Sequence, residues 1–269
     1  MRLIAAVALM ALSLAALAAP KAELWQRWAQ STPSKVGIDH AQWDDFLSRN
    51  VKPGKDGINR IAYGKVNARD REALNAYLEK LQRVPIRKFS RDSQRAYWIN
   101  LYNAATVKVV LDHYPVESIA KINISPGLFT KGPWKKKLLA VEGEGVSLDD
   151  IEHRILRPIW KDPRTHYSVN CASIGCPNLP AQAFTPGNLE ALLDAGARAY
   201  VNHPRGARVE KGRLTVSSIY VWFASDFGGN DLLVIDHLKK YAEPGLAKQL
   251  RGIERVADDD YDWALNDAH

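Results

Sequence analysis

The sequence predicts a single α+β domain. Apolar residues recur at helical spacing through the first half of the chain, whereas short strand patterns alternate with helices in the second half. The 269 residues contain no internal repeat or low-complexity block, and aliphatic and aromatic residues are spread along their length. We therefore expect a helical N-terminal half that packs on a small mixed or antiparallel sheet.

The first residues are typical of a secretory signal peptide. Arg2 supplies a positive charge, and an apolar run over residues 3–17 leads into an A-x-A cleavage pattern. This run is shorter than the roughly 20 residues that a membrane-spanning helix needs, and no later stretch approaches that length. We expect a signal peptide at 1–18, an N-terminal segment at 19–37 and one domain at 38–269. The protein should then be periplasmic or secreted, without a transmembrane segment.

The formal charge of the chain is +7. Removal of the predicted signal peptide takes away one arginine, which leaves about +6. Such a charge favours contact with anionic surfaces, such as envelope polymers or lipid headgroups, but does not define a binding site. We expect no nucleic-acid partner.

Three helices are predicted in the first half. Asp39 is expected to cap the first and Asn67 the second. The third should begin at Asp92 or Ser93 and stop before Pro115, and it is apolar on nearly every side, which is typical of a buried helix.

Asn100 and Asn103 lie one turn apart on this third helix. A buried amide without partners costs about 1–3 kcal/mol, so polar groups must meet both side chains. They could anchor a loop by hydrogen bonds. Alternatively, together with Asn170, they could bind substrate or donate to an oxyanion.

The second half begins with Ser147, which has a capping-box spacing to Asp150 and opens a short helix that stops near Arg157. Residues 166–170 read as a strand. The remaining predicted elements are a helix over 188–200, a hairpin over 207–216, helices from Ser217 and Asn230, and an edge strand in the tail.

Glu152 is a candidate site residue on this short helix. At 100° per residue, it falls at about 40° on the wheel, inside the arc defined by Ile151, Ile155 and Leu156. His153 falls at about 140°, outside that arc. The wheel therefore predicts an inward carboxylate and a peripheral histidine.

Cys171 follows the predicted strand that holds His166. If that strand continued through the cysteine, the two residues would lie roughly 16 Å apart and could not share a proton. Pairing requires the strand to end by Asn170 and the chain to turn at Cys171. Backbone N–H groups at such a turn would lower the pKa of the thiol.

Cys171 and Cys176 are the two cysteines of the chain. From residue types alone, a disulfide between them and a free thiol at Cys171 are equally open. A C-x4-C pattern without further clustered ligands is an incomplete metal site, so we expect no metal. No cofactor is expected.

Three sequence blocks resemble the family catalogued as domain of unknown function 547. They are RAYWINLYNAATVKVVLDHYPVESI, PWKKKLLAVEGEGVSLDDIEHRILRP and DPRTHYSVNCASIGCPNLPAQAFTPGNLE. The resemblance implies a papain-like or transglutaminase-like core with Cys171, His166 and Glu152 at its site. It also implies that Cys176 is dispensable, since the family's plant branch has serine there, and this favours a functional thiol at Cys171.

These observations lead to the hypothesis of an exported cysteine-dependent hydrolase or acyltransferase. Its substrate would be a small or peptidic amide, ester or thioester, with Cys171 as nucleophile, His166 as general base and Glu152 orienting the imidazole. One alternative is a non-catalytic envelope-binding module with a Cys171–Cys176 disulfide. Another is a thiol redox protein.

Overall fold

The computed structural model describes residues 20–34, 36–127 and 130–268, which form an α+β domain as the sequence predicts. The predicted signal peptide at 1–18 lies outside the described residues. The α-helices are α1 (Ala41–Asn50), α2 (Ala68–Gln82), α3 (Arg91–His113), α4 (Arg157–Trp160), α5 (Leu189–Val201), α6 (Ser218–Trp222), α7 (Asp231–Tyr241) and α8 (Pro244–Gln249). The strands are β1 (Val51–Pro53), β2 (Asn59–Ile61), β3 (Leu139–Val141), β4 (Glu144–Val146), β5 (Ala207–Glu210), β6 (Arg213–Ser217) and β7 (Val256–Asp260). Within these residues, no helix combines the length and apolar character needed to cross a bilayer.

The strands are short and form small sheets. In the described part of the chain, β1 pairs with β2 and β3 with β4, both antiparallel, while β5, β6 and β7 form a three-stranded sheet. The β5–β6 hairpin was predicted, and so was the edge strand β7, which runs parallel to β6. Such small sheets cannot form a core alone, so the helices supply most of the buried surface.

Helix α3 is the centre of the larger core, as its apolar sequence predicts. Every residue from Ser93 to Val107 is buried, and the helix packs against α2 and the segment that precedes α4. The cap prediction was wrong by two or three residues, because the side chain of Ser90 accepts the hydrogen bond from the Ser93 N–H. The helix ends at His113, two residues before Pro115, because the residue before a proline disfavours helical backbone.

A second, smaller core lies under the β5–β6–β7 sheet. It is built mainly from the inward faces of α5, α6 and α7. Tyr167 belongs to this core, and its hydroxyl hydrogen-bonds with Tyr220 and His237. The chain just before Cys171 therefore runs between the two cores.

Asn100 joins α3 to a distant loop. Its Nδ2 donates to the Phe184 carbonyl over 2.7 Å, and its Oδ1 accepts from the Phe184 N–H over 3.0 Å. The side chain of Asn100 is fully buried, so both hydrogen bonds are shielded from water. The amide thus acts as a backbone anchor, one of the two alternatives that the sequence left open.

We predict that Asn100→Ala lowers the free energy of unfolding by about 2–4 kcal/mol, because it leaves both backbone groups of Phe184 without partners. Urea denaturation followed by circular dichroism measures the change. Asn230→Ala is the matched control, since Asn230 only caps α7 at an exposed position and should cost about 1 kcal/mol. Equal losses in the two variants would contradict the anchoring role.

Candidate active site

Cys171 lies at a sharp turn. The next residue, Ala172, has a φ of 60°, in the left-handed region that non-glycine residues rarely adopt. The side chain of Asn170 stabilises this conformation, because its Oδ1 accepts from the Ala172 N–H over 2.9 Å. The chain therefore turns where pairing with a histidine would have required it to turn.

Asn103 fixes the approach to this turn. Its Nδ2 donates to the Ser168 carbonyl over 2.9 Å, and its Oδ1 accepts from the Asn170 N–H over 2.8 Å. Asn170 in turn donates from Nδ2 to the Pro177 carbonyl over 2.7 Å. Both asparagine side chains thus hold backbone in place, and their expected contacts with substrate or an oxyanion stay predictions.

The sulfur of Cys171 is surrounded by hydrogen-bonding groups. It lies 3.0 Å from the Tyr261 hydroxyl, 3.3 Å from the Ser173 hydroxyl and 3.1 Å from the Cys176 sulfur. The hydrogen bond from Cys176, helped by those from Ser173 and Tyr261, lowers the pKa of Cys171 to about 7 against the opposing effect of burial. As a residue, Cys171 is nevertheless only half-buried, whereas Cys176 is buried.

Cys176 has the opposite character. It is 3% exposed, and burial raises the pKa of its thiol well above the usual range. The Cys171 N–H donates to its sulfur over 2.9 Å. Both cysteines are free in the structure, so the proton resides on Cys176 when Cys171 ionises.

A C-terminal segment, residues 261–268, forms one wall of the site. Its backbone accepts hydrogen bonds from Ile174 and Gly175. A Cβ on Gly175 would lie 2.8 Å from the Asp262 nitrogen, so only glycine permits this close approach. The packing of this segment brings the Tyr261 hydroxyl to Cys171.

Glu152 and His153 lie on a π-helical segment, Asp150–Leu156. The capping box at its start is present as predicted, since Ser147 and Asp150 exchange hydrogen bonds between side chains and backbone N–H groups. The prediction of a peripheral His153 was wrong, because it is 6% exposed and Glu152 is 8% exposed. A π-helix has more residues per turn than the 100° wheel assumes, so both residues turn inward.

His166 does not lie on a strand. The predicted strand was wrong, because Pro163–Tyr167 forms a 3₁₀ helix, which Asp162 caps by accepting from the Arg164 N–H. Proline at its first position and local bonding, such as Ser168 Oγ to the Thr165 carbonyl, favour this helical turn.

The imidazole of His166 is buried and has two acidic neighbours. Its Nε2 lies 2.7 Å from Oδ2 of Asp226, and its Nδ1 lies 3.7 Å from Oε1 of Glu152. The ring stacks on Phe223 with centroids 4.4 Å apart. The expected pairing of Cys171 with His166 has no hydrogen bond to support it. His166 contacts Asp226 and Glu152, whereas the Cys171 sulfur contacts Ser173, Cys176 and Tyr261.

Arg157 completes the polar cluster around His166. Its guanidinium donates to Asp226 from Nε over 2.6 Å and from Nη2 over 3.2 Å, and it lies 3.1 Å from Nδ1 of His153. Burial acts to raise the pKa of Asp226, but hydrogen bonds from His166 and Arg157 hold it well below the usual range. Asp226 is therefore ionised and fixes a proton on Nε2 of His166.

Burial sets the protonation of the remaining groups. It raises the pKa of Glu152 to about 8, with Arg157 opposing and the charge on Cys171 adding to the effect. It lowers the pKa of His153 to about 3, and that of His166 below its ordinary value. At neutral pH, Glu152 thus carries a proton while both histidines are neutral.

Four residues of the site were missed by sequence reasoning: Arg157, Ser173, Asp226 and Tyr261. Ser173 and Arg157 lie close in sequence to predicted site residues, and their proximity was the available signal. Asp226 and Tyr261 are 60 and 90 residues from their partners, and no local pattern marks them.

Two cavities lie apart from these residues. One, of about 400 Å³, is lined by Lys161, Asp162, Pro163, Arg164 and residues of α5 and α7. The other, of about 680 Å³, lies between the β5–β6 turn and residues 252–257. Among the described residues, no group of three or more histidine, cysteine and acidic side chains could hold a metal ion.

Residues 86–201 match the model of the family described as "Protein of unknown function, DUF547". No curated protein and no solved structure gives a match. The papain-like or transglutaminase-like core implied by the resemblance therefore stays a prediction. The matched stretch contains α3, the π-helical segment and the Cys171 turn. On this match, residues 86–201 form a region of the DUF547 family.

Proposed function

We propose that the protein is a cysteine-dependent hydrolase or acyltransferase that acts on an amide, ester or thioester, with Cys171 as nucleophile. The observation that carries this proposal is the set of hydrogen-bonding groups around the Cys171 sulfur: Cys176, Ser173 and Tyr261. A thiolate, not a thiol, attacks a carbonyl, and such donors stabilise the thiolate. The strained Ala172 supports the same reading, since strained backbone concentrates at functional sites.

This nucleophile does not need a general base. With a pKa of about 7, roughly half of the Cys171 thiol is ionised at pH 7. The reaction instead needs an acid, because an amine or alkoxide leaves slowly unless it is protonated. His166 is neutral at pH 7, so the acid must be another group that holds a proton at that pH.

Glu152 meets that requirement. Its carboxyl group is protonated at pH 7, and its pKa responds to the charge on Cys171, which places the two groups within electrostatic reach of each other. His166 is a positioning residue in this scheme, because Asp226 holds its Nε2 proton and leaves the Nδ1 lone pair facing Glu152. The roles of acid and orienting group are thus exchanged relative to the sequence hypothesis.

The reaction proceeds through an acyl-enzyme. The Cys171 thiolate adds to the carbonyl carbon, and the tetrahedral intermediate collapses as Glu152 gives its proton to the departing nitrogen or oxygen. Water, or an acceptor amine or alcohol, then attacks the thioester. Glu152 takes up the proton of that nucleophile, and the thiolate leaves. Each turnover restores a protonated Glu152 and an ionised Cys171.

We predict that iodoacetamide labels Cys171 selectively, with a rate that rises with pH through a midpoint of about 7. Mass spectrometry of the adduct at each pH measures it. Cys176→Ala removes a donor and should move the midpoint toward the ordinary value of about 8.5, whereas Cys176→Ser keeps a donor and should move it less. Labelling that requires prior reduction would contradict a free thiol.

We predict that Glu152→Gln slows hydrolysis of a methyl ester roughly a hundredfold or more but leaves p-nitrophenyl acetate almost unaffected, because p-nitrophenolate leaves without a proton. In the unmodified protein, kcat/KM for the methyl ester should rise with pH through about 7, as Cys171 ionises, and fall through about 8, as Glu152 loses its proton.

The matched control for this experiment is Glu190→Gln, which changes a carboxylate that is 67% exposed. Both esters should react at unchanged rates in that variant. An equal loss on the two esters in Glu152→Gln would contradict the acid role. Iodoacetamide labelling of Cys171 in Glu152→Gln shows whether the nucleophile itself remains intact.

A second candidate function is dithiol redox exchange, which the 3.1 Å separation of the Cys171 and Cys176 sulfurs favours. In this reading, the Cys171 thiolate attacks a substrate disulfide, and Cys176 then displaces the mixed disulfide. The substrate leaves as two thiols, and a Cys171–Cys176 disulfide forms. The low pKa of Cys171 and the high pKa of Cys176 fit attacking and resolving cysteines.

We predict that the two functions separate in Cys176→Ser. Acyl transfer from p-nitrophenyl acetate should be retained, because serine still donates to Cys171, whereas a redox function would lose turnover entirely. Equilibration of the unmodified protein with reduced and oxidised glutathione, followed by alkylation and mass spectrometry, measures the dithiol potential. A potential between about −120 and −270 mV would support redox exchange.

A further inference from the structure

Four aromatic side chains form a continuous cluster beside Cys171, and we call them the aromatic rim: Trp134, Trp222, Tyr261 and Trp263. The Tyr261 ring lies 4.7 Å from Trp263 and 4.9 Å from Trp222, measured between centroids. Trp263 lies 5.8 Å from Trp222 and 5.7 Å from Trp134. The proposed chemistry uses only the Tyr261 hydroxyl, so the four rings themselves have no assigned role.

These centroid distances are those of rings in direct contact. No space remains between the rings for a ligand, which excludes an aromatic cage around a cation. A ligand can therefore lie only on the outer faces of the rim. Trp263 is 38% exposed and Trp134, Trp222 and Tyr261 are half-buried, so such faces are open to solvent.

The rim connects the two chemical groups of the site. At one end, the Tyr261 hydroxyl contacts the Cys171 sulfur. At the other end, the Trp134 carbonyl accepts from the Asp149 N–H over 3.0 Å, at the start of the helix that carries Glu152. A ligand on the rim would thus lie beside the nucleophile and near the start of the helix that carries Glu152.

Charged side chains flank the exposed rings. Lys135 and Lys136 follow Trp134, Asp262 precedes Trp263, and all three are exposed. The positive charge of Lys135 acts on the pKa of Asp149, which places this lysine at the same end of the rim. Flat apolar faces bordered by hydrogen-bonding groups suit a ring that is apolar on its faces and hydroxylated at its edge.

We propose that the aromatic rim binds a sugar ring, and that the acyl group attacked by Cys171 is an ester or amide on a glycan. This inference rests on the proposed function for its acyl group but not for the sugar contact. An acyl chain would instead favour an enclosed apolar pocket, and the rim is an open surface. Both lysines would suit a glycan that also carries negative charge.

Isothermal titration tests the sugar contact without any turnover. The probes are the β-1,4-linked tetramer of N-acetylglucosamine and maltotetraose, with decanoate and N-acetylphenylalaninamide as the alternatives. We expect at least one tetrasaccharide to bind the full chain. Trp263→Ala should weaken that binding roughly two- to tenfold, as expected for loss of one stacking contact. Leu232→Ala changes a 56% exposed apolar side chain outside the rim and should have no effect.

Tyr261→Phe distinguishes the role of the aromatic rim in sugar binding from the role of the Tyr261 hydroxyl at Cys171. It keeps the ring, so sugar affinity should be unchanged, but it removes a donor to Cys171 and should slow iodoacetamide labelling at pH 7. Trp263→Ala should show the converse, with weaker sugar binding and a smaller effect on labelling than Tyr261→Phe has. Binding of decanoate or N-acetylphenylalaninamide without either sugar would overturn the proposal, and so would equal sugar affinity in Trp263→Ala.

Discussion

The left-handed turn at Ala172 is the constraint on which the site depends. A non-glycine residue in this region costs of order 1–3 kcal/mol, so surrounding structure must hold it there. Asn170 bonds the turn from within, Asn103 fixes its entry from the central helix, and the Asn266 N–H donates to the Ala172 carbonyl from the C-terminal segment. Two distant parts of the chain and the turn's own Asn170 thus converge on one strained residue beside the candidate nucleophile.

Contacts between residues close in sequence could be predicted, whereas contacts between distant parts of the chain could not. Helix caps at Asn67 and Ser147 were predicted correctly, because the cap and its partner lie within three residues. The hairpin and the helices that follow Asn188, Ser217 and Asn230 were predicted for the same local reason, but α8 was not predicted. By contrast, residues 166–170 alternate like a strand, but His166 and Tyr167 end the 3₁₀ helix and the rest is irregular. Capping by Asp162 and the packing of Tyr167 in the smaller core override the pattern.

The site followed a similar division. Residue types permitted a turn at Cys171, and spacing predicted the inward Glu152, but neither could identify the partner of His166. Asp226 reaches His166 across 60 residues, and Arg157 and Phe223 hold that pair in place. The helical wheel placed His153 wrongly because this segment is a π-helix, and an α-helical period assigns its side chain to the wrong face. Long-range packing and local departures from ideal geometry therefore account for what sequence could not supply.

The contrast between the two cysteines shows how environment sets the acidity of a thiol within a few ångströms. Their sulfurs lie 3.1 Å apart, yet the pKa of Cys171 is lowered and that of Cys176 is raised. Ser173 and Tyr261 both lie within hydrogen-bonding distance of the Cys171 sulfur. Cys176 is enclosed by protein, and burial raises its pKa although a hydrogen bond from Tyr261 acts to lower it. The two sulfurs share one proton when Cys171 is ionised. Loss of a hydrogen-bond donor to Cys171 would therefore raise the pKa of Cys171 and reduce the difference between the two pKa values. Tyr261 therefore links the thiol chemistry to the C-terminal segment, and correct docking of that segment is a condition for a reactive Cys171.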